Sequence, residues 1–118
     1  PRVTPQKVAN FLLETVQTQD VVLVDVRRAD LTGHMLVRSV NFPAHTFYPS
    51  RYTIADILGS KKALIFYCSS SRGRGPRCAG WMQQALLDTG SKTEVLVLEG
   101  GVKAFVELYG NDSRLVGR

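Results

Sequence analysis

The sequence predicts an α/β fold: a central, mostly parallel sheet with helices on both faces. Three apolar runs carry that expectation, at residues 21–26, 63–67 and 95–98. Each is apolar almost throughout, as strands buried on both faces are, and a helical pattern lies between the second and the third. Alternation of this kind belongs to parallel sheets, because the connecting helices must cover both faces.

The elements follow in chain order. Thr4 before Pro5 is a helix start, a capping hydroxyl and then a first-turn proline, and Val8, Phe11, Leu12 and Val16 continue at helical spacing. The run Val-Val-Leu-Val-Asp-Val at 21–26 is broken only by Asp25. Residues 63–67 lead straight into Cys68. A helix is expected from about Pro76 to Asp88, with Ala79, Met82, Leu86 and Leu87 on one face and Gly90 as its stop. The run at 95–98 ends at Glu99-Gly100-Gly101, a tight turn into a last helix. The polar, glycine-containing tail from Tyr109 to Arg118 is expected to be a surface extension outside the site. With no internal repeat, low-complexity tract or long linker, residues 1–118 are expected to form one domain.

Composition narrows the class. The chain has 118 residues, 44% apolar and 21% charged, which excludes disordered, fibrous and collagen-like classes. No apolar run approaches the roughly 20 residues of a membrane span, and no basic leader with an apolar core is visible, so neither membrane nor secretory signal is expected. Two cysteines, Cys68 and Cys78, are too few for a disulfide framework. A reducing setting is therefore expected, the cytoplasm, with the nucleus as the alternative. Fifteen Lys and Arg against ten Asp and Glu give a net charge of +5, which suits an anionic ligand or partner.

The informative segment is Cys68-Ser69-Ser70-Ser71-Arg72-Gly73-Arg74-Gly75-Pro76-Arg77: a thiol leaving a buried strand, five residues, an arginine, then Gly-Pro opening a helix. Pro76 suits the first helical position, where a missing N–H costs nothing. The helix then directs its free N–H groups and partial positive charge back at the loop. Small side chains at Ser69, Ser70 and Ser71, with Arg72 and the glycines 73 and 75, allow backbone amides to converge on one point, a nest for a tetrahedral oxyanion. The same field favours the ionised form of Cys68, the expected nucleophile. Arg74 adds a planar fork of donors able to grip two oxygens of the bound anion.

The bland readings are a cysteine that is merely a small core hydrophobe and a basic segment that touches nucleic acid. The combination of strand, cysteine, small residues, arginine and proline-opened helix favours a catalytic loop instead. No aromatic residues interleave the basic ones to stack bases, so no nucleic-acid partner is expected. Walker and dinucleotide motifs are absent. Cys68, Cys78, His34 and His45 lack zinc spacing, and no metal is expected.

On these residues the sequence resembles rhodanese-superfamily domains of the branch containing the cell-cycle dual-specificity phosphatases and the eukaryotic arsenate reductases. The resemblance rests on Val24-Asp25-Val26-Arg27 with Gly33-His34 and Val40-Asn41-Phe42-Pro43, on the Cys68–Arg77 loop, and on Leu98 to Phe105. It implies a rhodanese-like fold. Sulfurtransferases resembling rhodanese carry a loop one residue shorter, so five residues between Cys68 and Arg74 imply a phosphate- or arsenate-sized pocket. This chain departs from the pattern in two places. Tyr67 stands where the family often has histidine, and Ser69 and Gly73 stand where the phosphatases carry acidic residues. A general acid is therefore not evident, which weakens the case for alkyl phosphates, moves weight toward arsenate reduction and leaves aryl phosphates open.

The resemblance also implies that Asp25 and Arg27 lie at the strand end near the loop. A carboxylate there can pair with a loop arginine; the reading taken is a structural ion pair that orients the loop. His34 is expected to make only local hydrogen bonds, and His45 to be surface or structural. Cys78 is read as a packing cysteine, with resolution of an oxidised or arsenylated Cys68 as the alternative. The expected function is a cysteine-dependent phosphatase acting on a phosphoprotein or aryl phosphate without a cofactor. The first alternative is an arsenate reductase drawing on a thiol such as glutathione. The second is an inactive rhodanese-like binding module.

Overall fold

The computed structural model describes residues 1–14, 20–28 and 34–117. Its elements are β1 (Arg2–Val3), α1 (Pro5–Leu13), β2 (Val21–Asp25), β3 (Met35–Leu36), β4 (Ser39–Asn41), α2 (Ala44–Leu58), β5 (Ala63–Tyr67), α3 (Arg74–Asp88), β6 (Glu94–Leu98), α4 (Gly101–Tyr109) and β7 (Val116–Gly117). Five strands form one parallel sheet in the order β1-β6-β5-β2-β4, and β3 and β7 pair antiparallel beside it. The expected α/β class with a parallel sheet is the observed one.

Register brings the strand ends together. Asp25 is paired with Tyr67 and Asn41, Phe66 with Val97, and Val3 with Leu98. Each of the four helices follows a strand of this parallel sheet, so all four N-termini start from the same edge. Cys68 leaves the central strand β5 at that edge, the place where open parallel sheets hold their ligands.

The two-residue period of β5 divides the core. Leu64, Phe66 and Cys68 pack with Ile54, Ala55 and Leu58 of α2 and with Cys78, Ala79, Met82, Ala85 and Leu86 of α3. Ile65 and Tyr67 face the other way, toward Val8 and Ala9 of α1 and Val102 and Phe105 of α4. The sheet is thus covered on both faces. At the start of α1, Thr4 has extended backbone and its hydroxyl accepts the Lys7 N–H at 3.3 Å, with Pro5 in the first turn, as the sequence implies. Val16 and Gly33 lie outside the described residues.

Four sequence expectations are corrected. Helix α3 begins at Arg74, two residues before Pro76, and the proline is accommodated because every donor of a first turn lacks an intrahelical acceptor. Leu87, expected on the buried face, is 61% exposed; the buried stripe continues through Ala85 instead. The strand β2 ends at Asp25, although Val26 stays buried and donates its N–H to the Tyr67 carbonyl at 3.0 Å. The tail is not a surface extension: Leu115 and Val116 are buried, and β7 closes the small sheet against β3. Helix α2, which carries Pro49, and the short strands β1, β3 and β4 were not foreseen.

A large cavity at the centre of the sheet is felt more than one on its rim. Phe66→Ala is expected to lower stability by about 3–5 kcal/mol and Leu87→Ala by no more than about 0.5 kcal/mol. Urea titrations of both variants check this; comparable losses would contradict the burial assignment.

Candidate active site

Cys68 is 2% exposed and its Sγ accepts two backbone N–H groups, from Ser71 at 3.2 Å and from Gly75 at 3.3 Å. The second donor belongs to the first turn of α3, whose cap residue Gly73 offers no side chain, so the free amides face the loop. Two donors and the N-terminal end of a 15-residue helix thus converge on the sulfur. Gly75 stands beside the sulfur: a Cβ there would make ordinary van der Waals contact, 3.4 Å from Cys68 N and 3.5 Å from both Sγ and Ser71 Oγ.

Ser71 is the pivot of the loop. Its φ of +56° places a non-glycine residue in the left-handed region, a strain of about 1–3 kcal/mol. That conformation turns its N–H toward Sγ. Its side chain is fully buried, and Oγ has no hydrogen-bond partner, the condition that a bound ligand oxygen would relieve.

The loop carbonyls are turned the other way and tied down. Val102 and Lys103, at the N-terminus of α4, donate their N–H groups to the carbonyls of Cys68 and Ser69, both at 3.0 Å. Arg2 Nη1 donates to the Ser71 carbonyl at 3.2 Å. Gly100 and Gly101 have φ of +76° and +66°, and a Cβ on Gly101 would lie 2.5 Å from the Ser69 carbonyl oxygen and 2.6 Å from that of Cys68. Close backbone approach at this point requires glycine.

The other expected residues lie around this centre. Arg74 is half-buried at the start of α3; Ser69 and Ser70 are half-buried, and Arg72 and Gly73 are exposed on the rim. Asp25 and Arg27 are both buried and form an ion pair at 2.7 Å, with Arg27 Nε and its backbone N–H also donating to the carboxylate. Arg27 Nη2 further donates to the His34 carbonyl at 2.9 Å, which joins the strand end to the segment before β3. Tyr67 faces the opposite side of the sheet from Cys68, donating to or accepting from Ser39 Oγ at 2.8 Å and accepting the Leu36 N–H. Burial, reinforced by the Asp25 carboxylate, pushes its phenol well above the usual range. His45 is exposed on α2.

Cys78 lies in the same apolar cluster as Cys68 but is fully buried, and burial pushes its thiol up to about 11, with Arg77 opposing and Cys68 adding to the rise. An open cleft of about 460 Å³ borders the loop at Ser69 and is lined also by His34, Lys103 and Glu107. A larger groove of about 720 Å³ runs along α4 and residues 110–114 and does not reach the loop. Among the described residues no group of three or more His, Cys, Asp or Glu is arranged to hold a metal ion, and no helix is long and apolar enough to cross a membrane.

Sequence reasoning missed Arg2 and the amides of Val102 and Lys103. Arg2 left no local signal, being 69 residues from its acceptor. The Gly100-Gly101 pair was the available clue to the second tether.

Residues 8–108 match the Rhodanese-like domain, and the chain belongs to that family. Among individual proteins, it is 29% identical over 131 aligned residues to the dual specificity phosphatase ibp1 of Schizosaccharomyces pombe, covering 97% of this chain and 94% of that protein. The fold superposes on Ygr203w, a yeast protein tyrosine phosphatase of the rhodanese family, with a TM-score of 0.79 at 19% identity over 98% of this chain and 90% of the other. An As-Sb reductase from Leishmania major superposes with a TM-score of 0.79 at 24% identity, over 94% of this chain and 79% of the other.

Two outcomes follow from this geometry. Gly101→Ala is expected to displace the Cys68 and Ser69 carbonyls, lowering stability by more than about 1 kcal/mol and slowing alkylation of Cys68; a variant with wild-type urea midpoint and alkylation rate would contradict the contact. The raised Cys78 thiol contributes stability that is complete below about pH 9 and is lost as pH climbs toward about 11, since the folded state holds that proton more tightly. Stability of the wild type should therefore fall more steeply over this range than that of Cys78→Ala, by urea midpoints at each pH; parallel declines would contradict it.

Proposed function

We propose that the chain is a cysteine-dependent phosphatase. The observation that carries the reading is the pair of backbone N–H groups on Cys68 Sγ at the mouth of α3, with Arg74 opening that helix. Cys68 sulfur attacks phosphorus in line, the P–O bond to the leaving group breaks with its electron pair going to that oxygen, and a phosphocysteine forms. The loop amides and the Arg74 guanidinium hold the phosphoryl oxygens as charge builds on them. Water then attacks phosphorus, and sulfur leaves as thiolate. The likeness to ibp1, a dual specificity phosphatase, supports this assignment.

Residues 69–73 hold no carboxylate and no imidazole to protonate the leaving oxygen. That observation makes aryl phosphates, whose leaving groups depart without an acid, the better substrates. It also supports a second reading, arsenate reduction, in which no alcohol has to be expelled. There, Cys68 adds to arsenate with loss of water. A thiol cosubstrate such as glutathione then attacks the Cys68 sulfur, arsenite leaves carrying the two electrons, and a mixed disulfide remains for a second thiol to reduce. The fold shared with the Leishmania As-Sb reductase supports this reading.

The two are separated by one pair of assays. p-Nitrophenyl phosphate hydrolysis is expected in the wild type and absent in Cys68→Ser. Arg74→Ala is expected to lower kcat/KM about 10²–10³-fold, the usual effect of removing one donor to a developing oxyanion. Hydrolysis surviving Cys68→Ser would remove the phosphatase reading. Cys68-dependent arsenite formation that requires added thiol, without phosphate hydrolysis, would replace it with the second.

A further inference from the structure

Arg2 has no role in the chemistry above, yet its side chain reaches the loop from 69 residues away in sequence. It sits on β1, the edge strand, whose backbone is pinned to β6: Val97 N–H donates to the Pro1 carbonyl at 3.1 Å and Glu99 N–H to that of Val3 at 2.8 Å. From there its guanidinium crosses to the Ser71 carbonyl at 3.2 Å. Ser71 is also the residue with φ of +56° and the one whose N–H points at Cys68 Sγ at 3.2 Å. Ser71 is thus strained at φ, with the peptide before it donating to sulfur and the peptide after it held by a cation.

We infer that Arg2 is a positioning residue for the Cys68 loop: it holds the Ser71 carbonyl outward and thereby keeps the Ser71 N–H on the sulfur. The inference rests on the reading of Cys68 as the nucleophile. An L-residue left to itself relaxes out of the left-handed region, and doing so here swings the N–H away from Sγ. A hydrogen bond from a guanidinium to the carbonyl opposes that relaxation more strongly than a neutral donor does. The contact Arg2 makes with the loop is to the Ser71 carbonyl, so its influence on the sulfur passes through Ser71.

A glycine at 71 supplies the test, because it adopts positive φ without strain and has no need of the restraint. The rate of iodoacetamide alkylation at pH 7, mapped to Cys68 by mass spectrometry on the full chain, is compared in wild type, Arg2→Ala, Ser71→Ala, Ser71→Gly and the double variants. Arg2→Ala is expected to slow alkylation about tenfold with little change in urea midpoint. The same loss is expected in the Ser71→Ala background, where the Cβ and the strain remain, and less than about twofold in the Ser71→Gly background. Local loosening of the loop would expose the sulfur and speed the reaction, so slowing separates positioning from mere destabilisation. An unchanged rate in Arg2→Ala, or an equal loss in the glycine background, overturns the inference. Because the reagent is uncharged and no phosphate or arsenate is turned over, the cycle reads Arg2 even if Cys68 supports neither reaction.

Discussion

The structure around Cys68 depends on one division of backbone groups, with N–H bonds directed inward at a sulfur and carbonyls directed outward at fixed donors. A short loop cannot achieve this alone, since every buried carbonyl turned away from the loop needs a partner of its own. Three are supplied from outside: α4 provides two amides for Cys68 and Ser69, and Arg2 serves Ser71. Any one of these carbonyls swung inward would bring a negative dipole end against the sulfur. The parallel sheet makes the arrangement possible by delivering β1, β5 and β6 side by side, so that Arg2, Cys68 and the start of α4 meet at one edge.

The strand on the other side contributes differently. Asp25 and Arg27 satisfy each other at the end of β2, and Asn41 of β4 bridges the carbonyls of Asp25 and Arg27 with its side-chain amide, at 2.9 and 3.1 Å. A buried pair of this kind adds little net stability over an apolar equivalent, but breaking it leaves one charge without a partner. Its effect is to fix where the chain turns after β2. The guanidinium lies 5.8 Å from the Tyr67 ring centroid, so this pair packs against β5 immediately before Cys68.

The fold was legible wherever apolar periodicity is local. The runs at 21–26, 63–67 and 95–98 became β2, β5 and β6 because strands buried on both faces leave no polar position to misread. Helix α2 was not legible: Pro49 and the β-branched residues near Tyr52 disguise it, and its burial of Phe47, Ile54 and Leu58 against α3 overrides the weak local propensity. The tail failed for the opposite reason. Leu115 and Val116 are two apolar residues in a polar stretch, and only the small sheet with β3 shows why they are buried. In the loop, the convergence of amides on Cys68 could be anticipated from small residues and a following helix, whereas the outward tethers come from residues 2, 102 and 103. Contacts across such separations carry no period or spacing that a single sequence displays.

The two cysteines make the physical distinction plain. Both lie in one apolar cluster on the same face of the sheet, and a count of burial alone would treat them alike. Cys78 has hydrocarbon around it, and burial accordingly favours its neutral thiol. Cys68 differs in its polar surroundings: its sulfur accepts two backbone N–H groups, one of them in the first turn of α3. No imidazole or carboxylate is needed for this, and residue 67, directed to the opposite face, does not contribute one. Both N–H groups on the sulfur come from the backbone, so their placement depends on the backbone of the loop, whose carbonyls are bonded by α4 and by the edge strand.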